Sequence, residues 1–410
     1  MAERRQGLIA ARKAAGHTQE TLAEAIEVYP KSVRNWERGE ATPTLHNQLR
    51  LAPALNLTFQ ELRRLVDTTP PAQVQPAEVY DFDSLAMFPT LGASPTEFLA
   101  RTTVDTPAPK RIGQVDVEQV QAITWAIAMS ENRFGGGPSC EAAAAQLRWT
   151  QRLLDASGTT TVRRGMFEAV ANLSAVVAHT AFDIADHTAA DRFFQFGLWA
   201  ANEGKAWPLR ANILAEIARK QIYLRDYDDA LTLIEQAQVR SERLSYTCRA
   251  MLWTVRARLL ALVGRGEETA ADVDRADECF AARTPTDEPP WLCYYDEAEH
   301  LGSTGKALLL QAQQTNRPVI AAERLEAAIR LHGDAYPRSR TFSRIRLATL
   351  LMTCGDPIEA AAVGTLAVEE AKQLGSHRIR DELTQLASAT TRHADLAEVD
   401  TLRRDIKSLA

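Results

Sequence analysis

Asn172, in Ala171-Asn172-Leu173, and Asn212, in Ala211-Asn212-Ile213, stand one 40-residue period apart and have a type and spacing suited to molecular recognition. An amide side chain both donates and accepts hydrogen bonds, as a peptide bond does. Asn residues stacked on successive helices can therefore hold an extended peptide whatever its side chains. Seven residues beyond them, His179 and Arg219 fall on the same two faces, and Tyr223 lies one turn further on. These five residues outline a candidate ligand-binding groove; the alternative is a set of solvated or internally bonded side chains.

Other sets suggest chemistry less specifically. Asp296 and His300 would share a helical face and could hold a metal, but a solvated acidic face is the favoured reading. His179, Asp183 and His187 follow one another at four-residue steps among Val, Ala and Phe, and read as partly exposed or hydrogen-bonded residues. Gly135-Gly136-Gly137 lacks a preceding strand and reads as a flexible turn. The chain has no phosphate-binding Gly-Lys loop, no His-Glu-x-x-His helix and no Gly-x-Ser-x-Gly elbow. The expectation is a protein that is not an enzyme, with no catalytic residues, no metal and no cofactor.

The elements that would position the groove come from residues 115–410, which are rich in Ala, Leu, Arg and Glu with apolar residues at helical spacing. Breaks at Gly135–Pro138, Ser157-Gly158, Asp186-His187, Arg225-Asp226, Gly264–Gly266, Pro285–Pro290, Gly333 and Gly355–Pro357 divide them into antiparallel helix pairs. A small, large, small apolar pattern recurs at Ala190-Phe194-Gly197, Ala230-Ile234-Ala237 and Ala321-Leu325-Ala328; Ala360-Gly364-Ala367 repeats its spacing with a small middle residue, and a weaker copy stands at Ala270. A small residue there lets two helices cross closely, as stacked pairs require. The pattern resembles the tetratricopeptide repeat family, degenerately, with a spacing near 40 residues rather than about 34. The alternative is a helical bundle without repeats. The resemblance implies a helix-pair solenoid with a concave surface lined by first helices.

Residues 1–66 are patterned differently. Leu8, Ile9 and Arg12 lie on a first helix ended by Gly16, and Thr18 caps a second. Pro30 to Arg38 form a third, with proline where a missing N–H costs nothing. A turn at Thr42-Pro43-Thr44 leads to a fourth helix, and Leu57-Thr58-Phe59 opens a fifth. Thr18-Gln19, Leu22-Ala23, Val28, Ser32-Val33, Trp36 to Gly39 and Pro43 stand in an order and spacing similar to the phage-repressor, or Xre, family of helix-turn-helix regulators. That resemblance implies that Val33 and Trp36 face the core and that Lys31, Ser32, Arg34 and Asn35 face the major groove of double-stranded DNA. Lys can donate to guanine and Asn can bond adenine in bidentate fashion. Thr18, Gln19 and Thr44, at or near the starts of the second and fourth helices, are placed to bind phosphates. Glu37-Arg38 reads as a structural bridge, and Pro30 replaces a frequent polar reader.

Fold class is thus all-α: a five-helix phage-repressor-like domain over 1–66, a Pro-rich linker over 67–114, and a tetratricopeptide-like domain over 115–410. Within the linker, Tyr80 to Phe88 could form a short amphipathic turn. With 45% hydrophobic and 24% charged residues the chain is globular, and its apolar runs are too short to span a membrane. Its five cysteines are an odd, scattered set, and no secretory signal precedes the first helix, so a cytoplasmic location is expected. Net charge is −6, yet residues 1–66 carry ten Lys or Arg against seven Asp or Glu, a balance of +3 on an acidic body of −9. So small an excess neutralises few phosphates, so a homodimer on two half-sites is expected. The layout resembles the peptide-sensing regulators of Gram-positive bacteria, which implies a peptide, small-molecule or protein effector. The alternative function is a helical interaction scaffold or antitoxin-like partner with secondary DNA binding.

Overall fold

The computed structural model describes residues 4–26, 28–43, 45–57, 59–66, 106–137, 139–284 and 288–409. It divides into two compact units, residues 1–105 and 106–410. The described residues of both are helical, without a named strand. Tyr80 to Phe88, the expected amphipathic turn, lie outside the described residues.

The first unit holds α1 (Gln6–Ala14), α2 (Gln19–Ala25), α3 (Pro30–Arg38), α4 (Leu45–Ala54) and α5 (Phe59–Val66). Local chemistry sets their ends. Gly16 takes a left-handed φ of +78° after α1. Thr18 and Thr21 cap α2 reciprocally, each backbone N–H meeting the other's hydroxyl. Gly39, at φ +74°, closes α3 as its N–H and that of Glu40 return to the Trp36 and Asn35 carbonyls. Leu8, Leu22, Ile26, Val33, Trp36, Leu51, Leu55 and Leu62 make one core. Arg5 ties α3 to its exit loop, donating to the Trp36 and Ala41 carbonyls and to Thr42 Oγ1.

The second unit opens with α6 (Gln114–Phe134) and α7 (Cys140–Thr150), both packed on α8 (Thr160–Asp183). Helix pairs then follow: α8 with α9 (His187–Glu203), α10 (Trp207–Leu224) with α11 (Tyr227–Gln238) and α12 (Tyr246–Leu262) with α13 (Gly266–Ala281). There follow α14 (Glu297–Thr315) with α15 (Val319–Leu331), α16 (Pro337–Cys354) with α17 (Pro357–Ala371) and α18 (His377–Ala389) with α19 (Ala397–Leu409). Thr159, Asp186, Ser245, Asp296, Asp356 and Ser376 cap α8, α9, α12, α14, α17 and α18 with their side chains.

The small-residue positions explain how the pairs close. Ala190, Ala230, Ala321 and Ala360 are fully or almost fully buried. At Gly197 an added Cβ would stand 3.3 Å from the Ala171 carbonyl oxygen, and at Gly364 2.7 Å from Leu402. The copy in α13 is displaced by one residue: Thr269, Val273 and Ala276 are buried, whereas Ala270 is only half-buried. Thr269 can occupy a tight position because its hydroxyl donates to the Arg265 carbonyl one turn back.

Two sequence expectations change here. The unit begins at 106 rather than 115, because Ile112 packs into the core of the first pairs and bonds the Ser157 carbonyl. Gly135 to Gly137 form a packed junction instead of a loose turn. The Gly137 N–H donates to the Gly375 carbonyl, the Gly375 N–H to the Phe134 carbonyl, and the Gly136 N–H to Asp183. The turn after the first helix thereby meets the turn before α18, so the first and last helix pairs touch.

Candidate functional site

In the head, α3 turns Val33, Trp36 and Glu37 inward, leaves Lys31 and Arg34 exposed, and holds Ser32 and Asn35 half-buried at the same outer side. Lys31 and Asn35 are one turn apart and so share a face. Glu37 pairs across the domain instead of with Arg38: Arg12 Nε donates to its Oε1 at 2.6 Å and Gln19 Nε2 to its Oε2 at 2.5 Å. Arg38 stays exposed, 3.9 Å from Glu40. Gln19 Nε2 thus donates to Glu37, and the Thr18 hydroxyl accepts from the Thr21 N–H in the α2 cap, with Thr18 exposed and Gln19 half-buried. Thr44 lies outside the described residues.

Arg5 and Arg12 are buried structural cations, which leaves Lys13, Lys31, Arg34 and Arg38 among the exposed ones. Tyr29, 83% exposed at the entry to α3, escaped the sequence reading. Its signal was an aromatic residue directly before the proline that opens the helix.

In the body, a cavity of about 350 Å³ is lined by α6, α8, α10, α14, α16 and α18 and by the segment around Trp291. Helix α8 gives it Glu168, Asn172, Val176 and His179, a stripe at steps of four, four and three residues. Asn172, His179, Asn212 and Arg219 all line it. Asn212 is partly committed, since its Oδ1 accepts from the Tyr294 hydroxyl at 2.9 Å. Tyr223 does not line it. One turn past Arg219, its hydroxyl donates to Asp381 and its ring meets Phe182 edge-on at 5.3 Å. Burial and the Asp381 carboxylate push that hydroxyl up to about 12.

Ion pairs hold the walls. Arg338 reaches both Asp183 and, at 3.3 Å, Glu131. Burial opposes the Asp183 charge, but Arg338, Arg378 and the Gly136 N–H outweigh it and bring its pKa down to about 2. Burial likewise opposes ionised Glu131, and the facing His179 and Arg338 prevail and hold it below the usual carboxylate range. His179 links two helices: Nε2 faces the Arg378 guanidinium at 3.3 Å and must accept, which leaves Nδ1 to donate to Glu131 at 2.8 Å. Burial disfavours the Arg219 charge, yet Glu216 at 2.8 Å raises its pKa.

Arg338, Arg346 and Arg378 were not singled out from sequence, although they line the cavity with the predicted residues. Pro337 to Arg346 contains four arginines in ten residues, far more than a solvated helix face needs, and that density was the available signal.

Asp296 and His300 do not come together. Asp296 caps α14, accepting from the Glu299 N–H, while His300 is buried between Asp277 and Tyr295 and stacks on Phe280 at 4.2 Å. Asp183 is taken by Arg338, and His187 packs beside Phe182 and Tyr223. Among the described residues, no three His, Cys, Asp or Glu are grouped to hold a metal ion, and no helix is long and apolar enough to cross a membrane.

A search of curated proteins found no match to the chain. Residues 8–62, from α1 into α5, match the helix-turn-helix family, and the head is accordingly a helix-turn-helix domain of the DNA-binding regulator type.

Proposed function

We propose that this protein is a sequence-specific transcriptional regulator whose head reads DNA through α3 and whose tetratricopeptide-like body senses a ligand and pairs with a second copy. The observation that carries this reading is the division of α3. Val33 and Trp36 lock one side into the core, while Lys31, Ser32, Arg34 and Asn35 stand together on the other, in a segment matching the helix-turn-helix family. Such a face suits the major groove, where Lys and Arg donate to guanine and Asn bonds adenine.

With Arg5 and Arg12 withdrawn into the fold, one head offers few cations to the phosphates, which favours a dimer on paired half-sites. In the body, the Asn172 and Asn212 amides and the enclosed cavity suit a short peptide or a small molecule. A ligand would change DNA occupancy to the extent that it prefers one spacing of the two heads.

Fluorescence anisotropy on a selected site and on random DNA tests the reading. Preference for the selected site is expected, and Lys31→Ala with Asn35→Ala should abolish that preference while circular dichroism stays unchanged. Equal affinity for both DNAs in the wild type would favour the interaction scaffold. For the body, Asn172→Ala with Asn212→Ala should weaken binding of a captured peptide, and unchanged affinity would remove the amide clamp.

A further inference from the structure

The charges around the body cavity do not cancel wall by wall. On the side of α6, α8 and α10, Glu131 serves His179 and Arg338, and Glu216 serves Arg219. On the side of α14, α16 and α18, Arg346 and Arg378 line the cavity while Lys306 and, from α12, Arg258 stand outside its lining, and the ion pairs of these four among the described residues end on one carboxylate, Glu382. Lys306 reaches it at 2.5 Å and Arg346 at 3.1 Å. Among the described residues, Arg258 and Arg378 have no carboxylate in ion-pair contact. Burial, with Arg346 close by, pushes Arg258 down to about 9, and burial with Arg338 lowers Arg378 too. Arg258 and Arg378 are both half-buried, and cations withdrawn from water normally carry a partner, because removing a charge from water is costly unless an opposite charge replaces the lost solvation.

Arg378 is also held in place. Its guanidinium lies over the Phe182 ring at 4.6 Å and the Phe342 ring at 5.4 Å, and one nitrogen meets His179 Nε2. Trp125 and Trp291 line the same cavity as Arg378 and Phe342. A planar fork fixed between rings loses little freedom on binding, and its geometry matches a carboxylate. Of the cavity's other acids, Glu299 accepts from Ser303, and Glu168 sits eleven residues up α8 from His179, about 16 Å along the axis.

We propose that Arg378, backed by Arg258 and Arg346, forms a carboxylate subsite for a ligand whose apolar body lies against Trp125, Trp291 and Phe342. The acid group could belong to a small aromatic acid or to the C-terminus of a short apolar peptide. This assignment rests on the reading of the cavity as a ligand site.

Calorimetry on the full chain without DNA tests it with two probe pairs: 3-(indol-3-yl)propionate against its amide, and the tripeptide Ala-Ala-Phe with a free against an amidated carboxyl terminus. At least one free acid should bind about tenfold or more tighter than its amide, because charge-assisted hydrogen bonds exceed neutral ones. Which pair binds identifies the source of the carboxylate. Arg378→Gln should erase the difference and leave amide affinity within about threefold, and Arg378→Lys should restore part of it. Equal binding of acid and amide by the wild type overturns the subsite but leaves the cavity a ligand site. Discrimination that survives Arg378→Gln overturns the role of Arg378. No binding of any probe at millimolar concentration overturns both the subsite and the ligand-site reading. The wild-type comparison needs no variant, so a misfolded substitution cannot mask the result.

Discussion

Arg338 of α16 and Asp183 at the end of α8, 155 residues apart in the chain, form a buried ion pair that also gathers Ser376, the cap of α18, and the Gly136 N–H onto the same carboxylate. One side chain thus fastens the turn after α6, the end of α8 and the start of both α16 and α18. This knot holds the cavity walls at a fixed separation, and it brings Arg378 over Phe182.

Breaking that pair from one side leaves Asp183 and Glu131 buried without the guanidinium they share, with only weaker neighbours left to them. Arg338→Met should therefore destabilise the protein by about 3–5 kcal/mol. Arg330→Met, at an exposed pair with Glu326, should change stability by less than about 0.5 kcal/mol. Urea midpoints of the two variants against the wild type measure the contrast.

Asp183 has a folded-state pKa of about 2, below its ordinary value of 3.8. Because the folded value is depressed, its contribution is complete above pH 4 and is lost as pH falls through 2. The difference corresponds to about 2 kcal/mol. Glu131, Asp277 and Glu382 are held low as well, each by cationic neighbours that overcome burial, and they steepen the same limb. Thermal melts between pH 5 and pH 2 should show wild-type stability falling, with a shallower fall in Asp183→Asn.

Gly136 faces the Thr180 carbonyl oxygen so closely that an added Cβ would stand 2.6 Å from it. Since backbone cannot yield as a flexible side chain can, Gly136→Ala should cost about 1–3 kcal/mol. At Gly333 an added Cβ would meet no described atom within 4 Å beyond its chain neighbours, and Gly333→Ala should be close to neutral. Chemical denaturation separates the two, and equal effects would mean that the junction is as loose as its sequence suggests.

Exposed Arg34 and buried Arg12 should behave oppositely. Arg34→Ala is expected to weaken binding to DNA and reduce the salt slope of log K by about 0.9 if it meets one phosphate, with thermal stability unchanged. Arg12→Ala removes the partner of buried Glu37 and should lower the melting temperature of the head. Salt titrations by anisotropy, paired with melts, read both.

The helices, their capping residues and most of the small residues at helix crossings were legible in the sequence, because they depend on neighbours three or four positions away. Thr18, Pro30 and Gly39 do their work locally, so their types and spacing suffice, and Ala190 and Ala230 were legible because their pattern recurs along the chain. The stripe Asn172 to His179 was legible for the same reason, as was the outward side of α3. Partner choice was not. Glu37 could have met Arg38 beside it and meets Arg12 instead, Tyr223 turns to Asp381, and Thr269 takes the place that Ala270 was expected to fill. Arg378 reaches the cavity only because the last helix pair returns to the first, across 199 residues from His179. Periodicity along a helix determines which side is buried, but the identity of the opposing charge is set by how separate helices stack, and a long-range ion pair leaves no fixed spacing in the chain.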